Sequence, residues 1–394
     1  MKISKNFEAG SIEVVSIINP LQIQLALRRD TQSCTKQWFY FELSTDSREL
    51  HRLHIVNADK ASFPDGWDNY QVLASYDQKS WFRVNTWYAD GELVFEVSPS
   101  EQRIFFAYFV PYTQAQHQAL VRKVKLHEYM DHSLIGYSIE NKPIDLFTVG
   151  TPSKEKKRIW MIARQHSGET MAQWFLDGVV SALTEQNKQL HDLLQKFVFY
   201  LVPNMNPDGS ICGNHRTNSA GINLNRVWGK LGQEGSPEVQ LVSQAIDDKG
   251  VDVFFDVHGD EGLPFNFAMV EKRDAFGELF KEVLLELTGD FQTQYDYNNQ
   301  PGECKTSCCR MSEESSSCGV SACGAASGKA TEYISNKYHC PAILLELPFK
   351  ELENRERESE IWTDKECQRY GRNVLLALNK AMAINGQLNS KMMC

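Results

Sequence analysis

Arg158-Ile-Trp-Met-Ile-Ala163 runs directly into Arg164-Gln-His-Ser-Gly-Glu-Thr170. The first piece is a continuous apolar run, the pattern of a strand covered on both faces. The second is polar and holds Ser and Gly, so the chain reads as a strand meeting a helix. His166 and Glu169 stand three apart at that junction. The spacing predicts an imidazole and a carboxylate on one side of the first helical turn. A second apolar run, Val251-Asp-Val-Phe-Phe-Asp-Val257, ends in His258-Gly259, so His258 also falls at the carboxyl end of a strand. Two His and one Glu leave a fourth position open, which is the donor set of a catalytic zinc rather than a structural one. An isolated H-x-x-E is a weak motif, because His and Glu are common at helix starts. Its weight here comes from the motifs C-terminal to it in the chain.

Asn204-Met-Asn-Pro-Asp-Gly209 succeeds the apolar run Phe197-Val-Phe-Tyr-Leu-Val-Pro203, and Arg216 comes shortly after. Gly221-Ile-Asn-Leu-Asn-Arg-Val-Trp228 is next. Leu344-Leu-Glu-Leu-Pro-Phe-Lys350 then sets Glu346 inside an apolar strand. In this order the motifs resemble the carboxypeptidase A-type family of zinc metallocarboxypeptidases. The Glu-x-Pro-Phe-Lys run and the aromatic N-terminal region are most similar to its cytosolic carboxypeptidase branch. The resemblance extends over roughly residues 10 to 355.

Composition fits such a chain. A length of 394 residues suggests two or three domains, and 42% aliphatic and aromatic residues supply sizeable cores. The net charge of −10 and the lack of a basic stripe argue against nucleic acid as a partner. The opening Met1-Lys-Ile-Ser-Lys-Asn-Phe-Glu-Ala-Gly10 has no apolar signal stretch, and no segment approaches a membrane span. A cytoplasmic protein without membrane attachment is expected. Of the ten cysteines, Cys304, Cys308, Cys309, Cys318 and Cys323 crowd one Ser/Gly/Ala-rich stretch. Their spacing is not the paired C-x-x-C of a zinc site, so free thiols in a loop are expected.

Residues 1–112 hold recurrent short runs of β-branched and aromatic residues, among them Ile12–Ile18, Gln37–Leu43, Glu92–Val97 and Ile104–Val110, separated by turns such as Pro64-Asp-Gly66 and Ala89-Asp-Gly91. This is an all-β, sandwich-like pattern. A helical linker is expected over 113–130. From 131 to 394 the pattern becomes α/β, with strands at Ile144–Val149, Arg158–Ala163, Phe197–Val202, Val251–Val257 and Ala342–Leu347. Helices are expected at Glu169–Thr184, Glu238–Asp248, Ala275–Thr288 and about Asn354–Met382. The expected fold is thus an N-terminal all-β sandwich-like domain followed by an α/β mixed-sheet zinc carboxypeptidase domain.

The resemblance implies roles for single residues. His166, Glu169 and His258 would hold one zinc ion per chain. Glu346 would be the general base, and Arg216 would stabilise the oxyanion. Asn225 and Arg226 would clamp the terminal carboxylate of a peptide or protein substrate. A planar guanidinium suits that task because it holds a carboxylate bidentately. Glu346 facing solvent from an edge strand is the alternative, but Ile343-Leu-Leu-Glu-Leu-Pro-Phe349 is too apolar for a surface strand. Asp256 shares a strand face with His258 and either orients its ring or faces the cleft.

The chain departs from the family pattern in places. Ser167 stands where many members have Pro. Asn223 stands where many have an Asp that orients a ligand His; its carbonyl can still accept an imidazole N–H, without the charge. The family's flexible tyrosine has four candidates, Tyr295, Tyr297, Tyr333 and Tyr338. Residues 327–338 would wall the side-chain pocket, and Lys329 there would favour a C-terminal acidic residue unless it is simply solvated. Two other functions use the same motifs. One is a zinc deacylase of acyl-amino acids, similar to succinylglutamate desuccinylase and aspartoacylase; the large β domain and Gly221–Arg226 argue against it. The other is a non-catalytic peptide-binding protein, against which the intact His166, Glu169, His258 and Glu346 argue.

Overall fold

The computed structural model describes residues 1–185, 188–230, 232, 234–299, 328–355 and 361–392. The cysteine-rich stretch 304–323 lies outside them. Ten strands form two five-stranded sheets at the start of the chain. One has the order β1 (Lys2–Ser4), β4 (Tyr40–Ser44), β10 (Arg103–Ala107), β6 (Leu73–Ser75), β7 (Trp81–Arg83). The other has the order β2 (Glu13–Asn19), β3 (Gln22–Ala26), β5 (His51–Ile55), β9 (Glu92–Val97), β8 (Asn85–Ala89). The sheets meet through aromatic side chains. Phe95 of β9 and Phe106 of β10 lie with ring centroids 5.2 Å apart, and both are fully buried.

Helix α1 (Gln114–Lys125) comes next, started by a capping box between Thr113 and Gln116. It ends at Lys125, short of the expected linker's end, and Met130 already begins a strand. The second sheet system has seven strands in the order β11 (Met130–Tyr137), β12 (Pro143–Val149), β14 (Phe197–Val202), β13 (Lys157–Ala163), β15 (Val253–Asp260), β17 (Ala342–Pro348), β16 (Phe267–Val270). The four strands from β14 to β17 in this order are mutually parallel, and β11, β12 and β16 run antiparallel to their neighbours. The sheet is therefore mixed. Its helices are α2 (Thr170–Thr184), α3 (Lys188–Lys196), α4 (Pro207–Cys212), α5 (Pro237–Lys249), α6 (Ala275–Leu287), α7 (Ala330–Tyr338) and α8 (Asp364–Met392).

Both faces of the central strands are covered, which explains their unbroken apolar sequences. On β13, Ile159, Met161 and Ala163 join the core under α2, α6 and α8, whereas Trp160 and Ile162 join the core under α5 and α7. The same alternation on β15 and β17 places Asp256, His258 and Glu346 on the α5/α7 side, at the carboxyl ends of their strands. Helix α8 begins at Asp364, later than the sequence pattern suggested. Its start is fixed at Thr363, whose N–H and hydroxyl both donate to Glu366 at 3.2 and 2.9 Å. Among the described residues no helix is long and apolar enough to cross a membrane.

The β domain is fastened to the seven-stranded sheet beside these carboxyl ends. Arg83 donates to Glu351 (2.9 Å) and to the carbonyls of Phe349 (3.1 Å) and Trp362 (3.3 Å). Tyr108 stacks on Phe349 with centroids 4.3 Å apart. Arg28 donates to the carbonyls of Cys212 and Gly213 at 2.5 and 3.2 Å.

Candidate active site

The H-x-x-E motif lies in the loop between β13 and α2, not within the first helical turn: Glu169 is the N-cap residue of α2. The loop is pinned from inside by Arg164, which has a left-handed backbone (φ 60°) and a buried guanidinium. That guanidinium donates to Ser167 O (2.8 Å), Tyr112 O (3.0 Å) and Gln173 Oε1 (2.7 Å). The turn so formed brings His166 and Glu169 against His258. The three residues offer ligand atoms within 4.8 Å of one another, and all three are buried. His166 Nδ1 lies 2.6 Å from Glu169 Oε1, His258 Nδ1 lies 2.9 Å from Glu169 Oε2, and the two Nδ1 atoms are 3.2 Å apart.

The outer faces of both imidazoles are occupied. His166 Nε2 is 3.0 Å from Asn223 Oδ1. That oxygen also accepts the backbone N–H of Asn225 at 3.0 Å, which identifies it as the carbonyl of the amide. His166 Nε2 is therefore the N–H, and its Nδ1 presents a lone pair to Glu169. Burial first, and then the nearby Arg216, push the His166 pKa down to about 3, although Glu169 opposes them, so the ring is neutral. A neutral His166 cannot donate to both Asn223 and Glu169. His258 Nε2 is held 2.9 Å from Asp256 Oδ2, which leaves its Nδ1 also facing inward. Gln165 donates to both oxygens of Asp256 (2.9 and 2.8 Å) and accepts from Trp228 Nε1 (2.8 Å). Burial opposes it, yet the charges of Asp256 and Glu169 raise the His258 pKa well above its ordinary value, so without metal its Nδ1 holds a proton that a cation would displace. Two inward Nδ1 atoms and a carboxylate, with each ring oriented from behind, fit a divalent cation such as zinc.

Glu346 occupies the same rung of the parallel ladder as His258, on the adjacent strand. It is 4% exposed. Its Oε1 accepts from Tyr297 Oη at 2.8 Å, and its Oε2 has no hydrogen-bond partner among the described residues. Burial, reinforced by the charges of Glu169 and Asp260 and opposed by His258, lifts its pKa well above the usual carboxylate range. Burial and Glu346 together also raise the Tyr297 phenol well above its ordinary value.

Of the four tyrosine candidates, Tyr297 is thus the one that reaches this cluster. Tyr333 packs on Trp228 and meets Ser243, Tyr338 donates to Asp247, and Tyr295 stacks on Phe265. Arg216 is half-buried, with its guanidinium 5.3 Å from the centre of the Phe63 ring. Asn225 turns inward: its Nδ2 comes within 3.2 Å of His258 Nε2 and its Oδ1 accepts from Ala330 N at 2.9 Å. Arg226 donates from Nη1 to the Asn225 carbonyl at 2.6 Å. Lys329 is exposed, next to the Ala330 N–H that Asn225 holds. The sequence carried no signal for Arg164 or Gln165, whose parts depend on contacts distant along the chain. A basic depression lined by Lys154, Lys157, Tyr200 and Lys249 lies at the opposite ends of the parallel strands and shares no residue with this cluster.

Residues 122–366 match the zinc carboxypeptidase family, and residues 3–109 match the cytosolic carboxypeptidase N-terminal domain. An uncharacterized protein of Zymomonas mobilis is 33% identical over 388 residues, 96% of each chain. Cytosolic carboxypeptidase 6 of Caenorhabditis elegans is 25% identical over 332 residues, 75% of this chain and 72% of that one. The crystal structure of a metallo-carboxypeptidase from Burkholderia cenocepacia superposes with a TM-score of 0.87 at 35% identity, covering 97% of this chain and 99% of that one. A metallo-carboxypeptidase from Pseudomonas aeruginosa, solved in complex with (2-guanidinoethylmercapto)succinic acid, gives 0.87 at 33% identity, with 97% and 99% coverage. With more than half of its length, residues 122–366, matching that family's catalytic domain and residues 3–109 the N-terminal domain of its cytosolic branch, the chain belongs to the zinc carboxypeptidases, a family of hydrolases.

Proposed function

We propose that the protein is a zinc-dependent exopeptidase that removes the C-terminal residue of peptides or proteins, and that it works in the cytoplasm. The observation that carries this reading is the convergence of His166 Nδ1, Glu169 and His258 Nδ1 one strand away from a buried Glu346 whose Oε2 has no hydrogen-bond partner among the described residues. His166, Glu169 and His258 would hold one zinc. Bound there, zinc supplies Lewis acidity, polarising a carbonyl and lowering the pKa of a water to about 7.

The remaining work falls to the chain's own groups. Glu346 Oε2 takes a proton from the attacking water and passes it to the leaving amine. Tyr297 holds Oε1, so the carboxylate keeps one orientation through both transfers. Arg216 stabilises the negative oxygen that develops on the carbonyl. Arg226, with Asn225 beside it, holds the substrate's free carboxylate and so restricts cleavage to the chain end. Zinc content, together with turnover of one peptide as free acid and as amide, tests the reading. A metal-free protein, or equal cleavage of both peptides, would overturn it.

For the side chain removed, Lys329 beside the Asn225 clamp supports a preference for C-terminal acidic residues. A second reading, for basic ones, is favoured by Glu271, which accepts the Thr331 hydroxyl at 2.7 Å at the start of α7, and by the guanidino ligand of the Pseudomonas relative. Peptides ending in Glu, Leu and Arg, compared by kcat/KM, decide between them. Lys329→Glu should lower the Glu-to-Leu ratio by about tenfold, or 1.4 kcal/mol, under the first reading and leave it unchanged under the second.

A further inference from the structure

Arg216 has no rigid element of its own. It sits in the strap Asn214–Thr217, which comes after the short helix α4 and belongs to no helix or strand. What holds the strap comes largely from the N-terminal domain. Asp30, 5% exposed, accepts three consecutive backbone N–H groups: His215 (2.7 Å, on Oδ1), Arg216 (2.8 Å) and Thr217 (3.0 Å), the last two on Oδ2. The Thr217 hydroxyl adds a bond to Oδ2 at 3.2 Å. Charge-assisted bonds of this kind are stronger than neutral ones, and a buried carboxylate without them would be costly. Next to Asp30, the Thr31 N–H donates to Asn214 Oδ1 at 3.0 Å. A separate contact fixes the other end of the arginine. Phe63, also from the N-terminal domain, presents its ring to the guanidinium at 5.3 Å. The strap in turn touches the metal loop: Ser167 Oγ donates to Asn214 O (2.8 Å) and Gly168 N to His215 O (2.7 Å).

We infer that the N-terminal domain aims Arg216 at the reacting carbonyl, with Asp30 as a positioning residue for its backbone and Phe63 for its guanidinium. The inference rests on the reading of Arg216 as the group that stabilises the oxyanion. An oxyanion donor acts only in the transition state, so displacing it lowers kcat and leaves KM nearly unchanged. Asp30→Asn keeps the size of the side chain but replaces one acceptor oxygen by an amide NH2, a donor facing N–H donors. A misplacement on the order of 1 Å can cost up to about 100-fold in rate, so a loss of about tenfold or more in kcat is expected, with KM changed less than about twofold and zinc content as in the wild type.

The decisive measurement is a cycle with Arg216→Ala. That single variant must itself lower kcat; if it does not, the reading of Arg216 fails. With Arg216 shown to matter, Asp30→Asn should add nothing further in the Arg216→Ala background, because the side chain it aims is gone. Losses that multiply would show that Asp30 acts through the fold and would overturn the inference, as would wild-type kcat in Asp30→Asn. If Asp30→Asn does not fold, Phe63→Leu carries the same cycle, with the same two outcomes decisive.

Discussion

His258 and Glu346 lie side by side on one rung of parallel ladder, and Val257, Leu345 and Leu347 beside them alternate into the opposite core. Neighbouring strands lie about 4.8 Å apart, so Glu346, the proposed base, is held near the candidate metal donors by backbone hydrogen bonds and not by a flexible loop. Glu346→Gln should therefore fold and retain zinc while losing about 10²–10⁴-fold in kcat, since an amide of the same shape takes no proton. Zinc analysis and kinetics on the same preparation check this. Near-wild-type turnover would remove Glu346 from the chemistry.

Zinc removal should be felt in stability as well as in activity. A ligand bound only by the folded state stabilises it by about 2.7 kcal/mol at 100 times its dissociation constant. Chelated protein should unfold at lower urea than the zinc-loaded form, and His166→Ala or His258→Ala should abolish that difference while keeping the large cores intact. A zinc-dependent midpoint that survives in the double variant would place the metal elsewhere.

Arg226→Ala should raise KM for peptides with a free terminal carboxylate far more than for their amides. A charge-assisted pair to a carboxylate is among the stronger polar contacts, and only the free acid can form it. Steady-state kinetics on both peptide forms test this, and an equal effect on the two would exclude the clamp.

Glu238 gives a prediction in pH. It lies buried in the first turn of α5, and among the described residues neither carboxylate oxygen finds a hydrogen-bond partner in good geometry. Burial, with Asp208 adding to it, lifts its pKa from 4.5 to about 7, softened by its own backbone N–H and by Asn218. Between those two values the folded state holds a proton that the unfolded state has lost. The contribution of Glu238 to stability therefore falls as pH rises through that window and levels off above it. Glu238→Gln has no proton to lose. It should be more stable than the wild type at pH 8, by on the order of 1–3 kcal/mol, and no more stable at pH 4. Urea midpoints at the two pH values check the sign.

The parallel core was legible because strands buried on both faces leave continuous apolar runs: Phe197–Val202 is both the expected and the observed strand. The edges were not. Strand β11 reads Met-Asp-His-Ser-Leu-Ile-Gly-Tyr, with one side open to solvent and hence no such run, and β16 is only four residues long. The donors of the candidate metal centre could be found because His166 and Glu169 are neighbours in sequence and His258 ends an apolar run. Tyr297 could not be singled out, since its position depends on the antiparallel return of β16 beside Glu346, with Phe267 packed edge-on to its ring at 5.1 Å. The grip of Asp30 on the strap joins residues 185 or more apart and leaves no local pattern at either end.

Gly168 separates the two donors of the metal loop, and its lack of a side chain is imposed from a distance. A Cβ there would lie 2.6 Å from His215 Nδ1, 2.9 Å from His215 Cα and 3.0 Å from His215 O. Two of those three atoms are backbone, so rotation of the imidazole would not relieve the contact. The residue permitted at 168 is thus decided by how closely the chain at 215 passes, and the two positions form a coupled pair. Alanine at 168 would push the metal loop and the arginine strap apart together. Anyone redesigning this hydrolase, or tracing its variants through genomes, should expect position 168 to change only when the path of the chain near 215 changes with it.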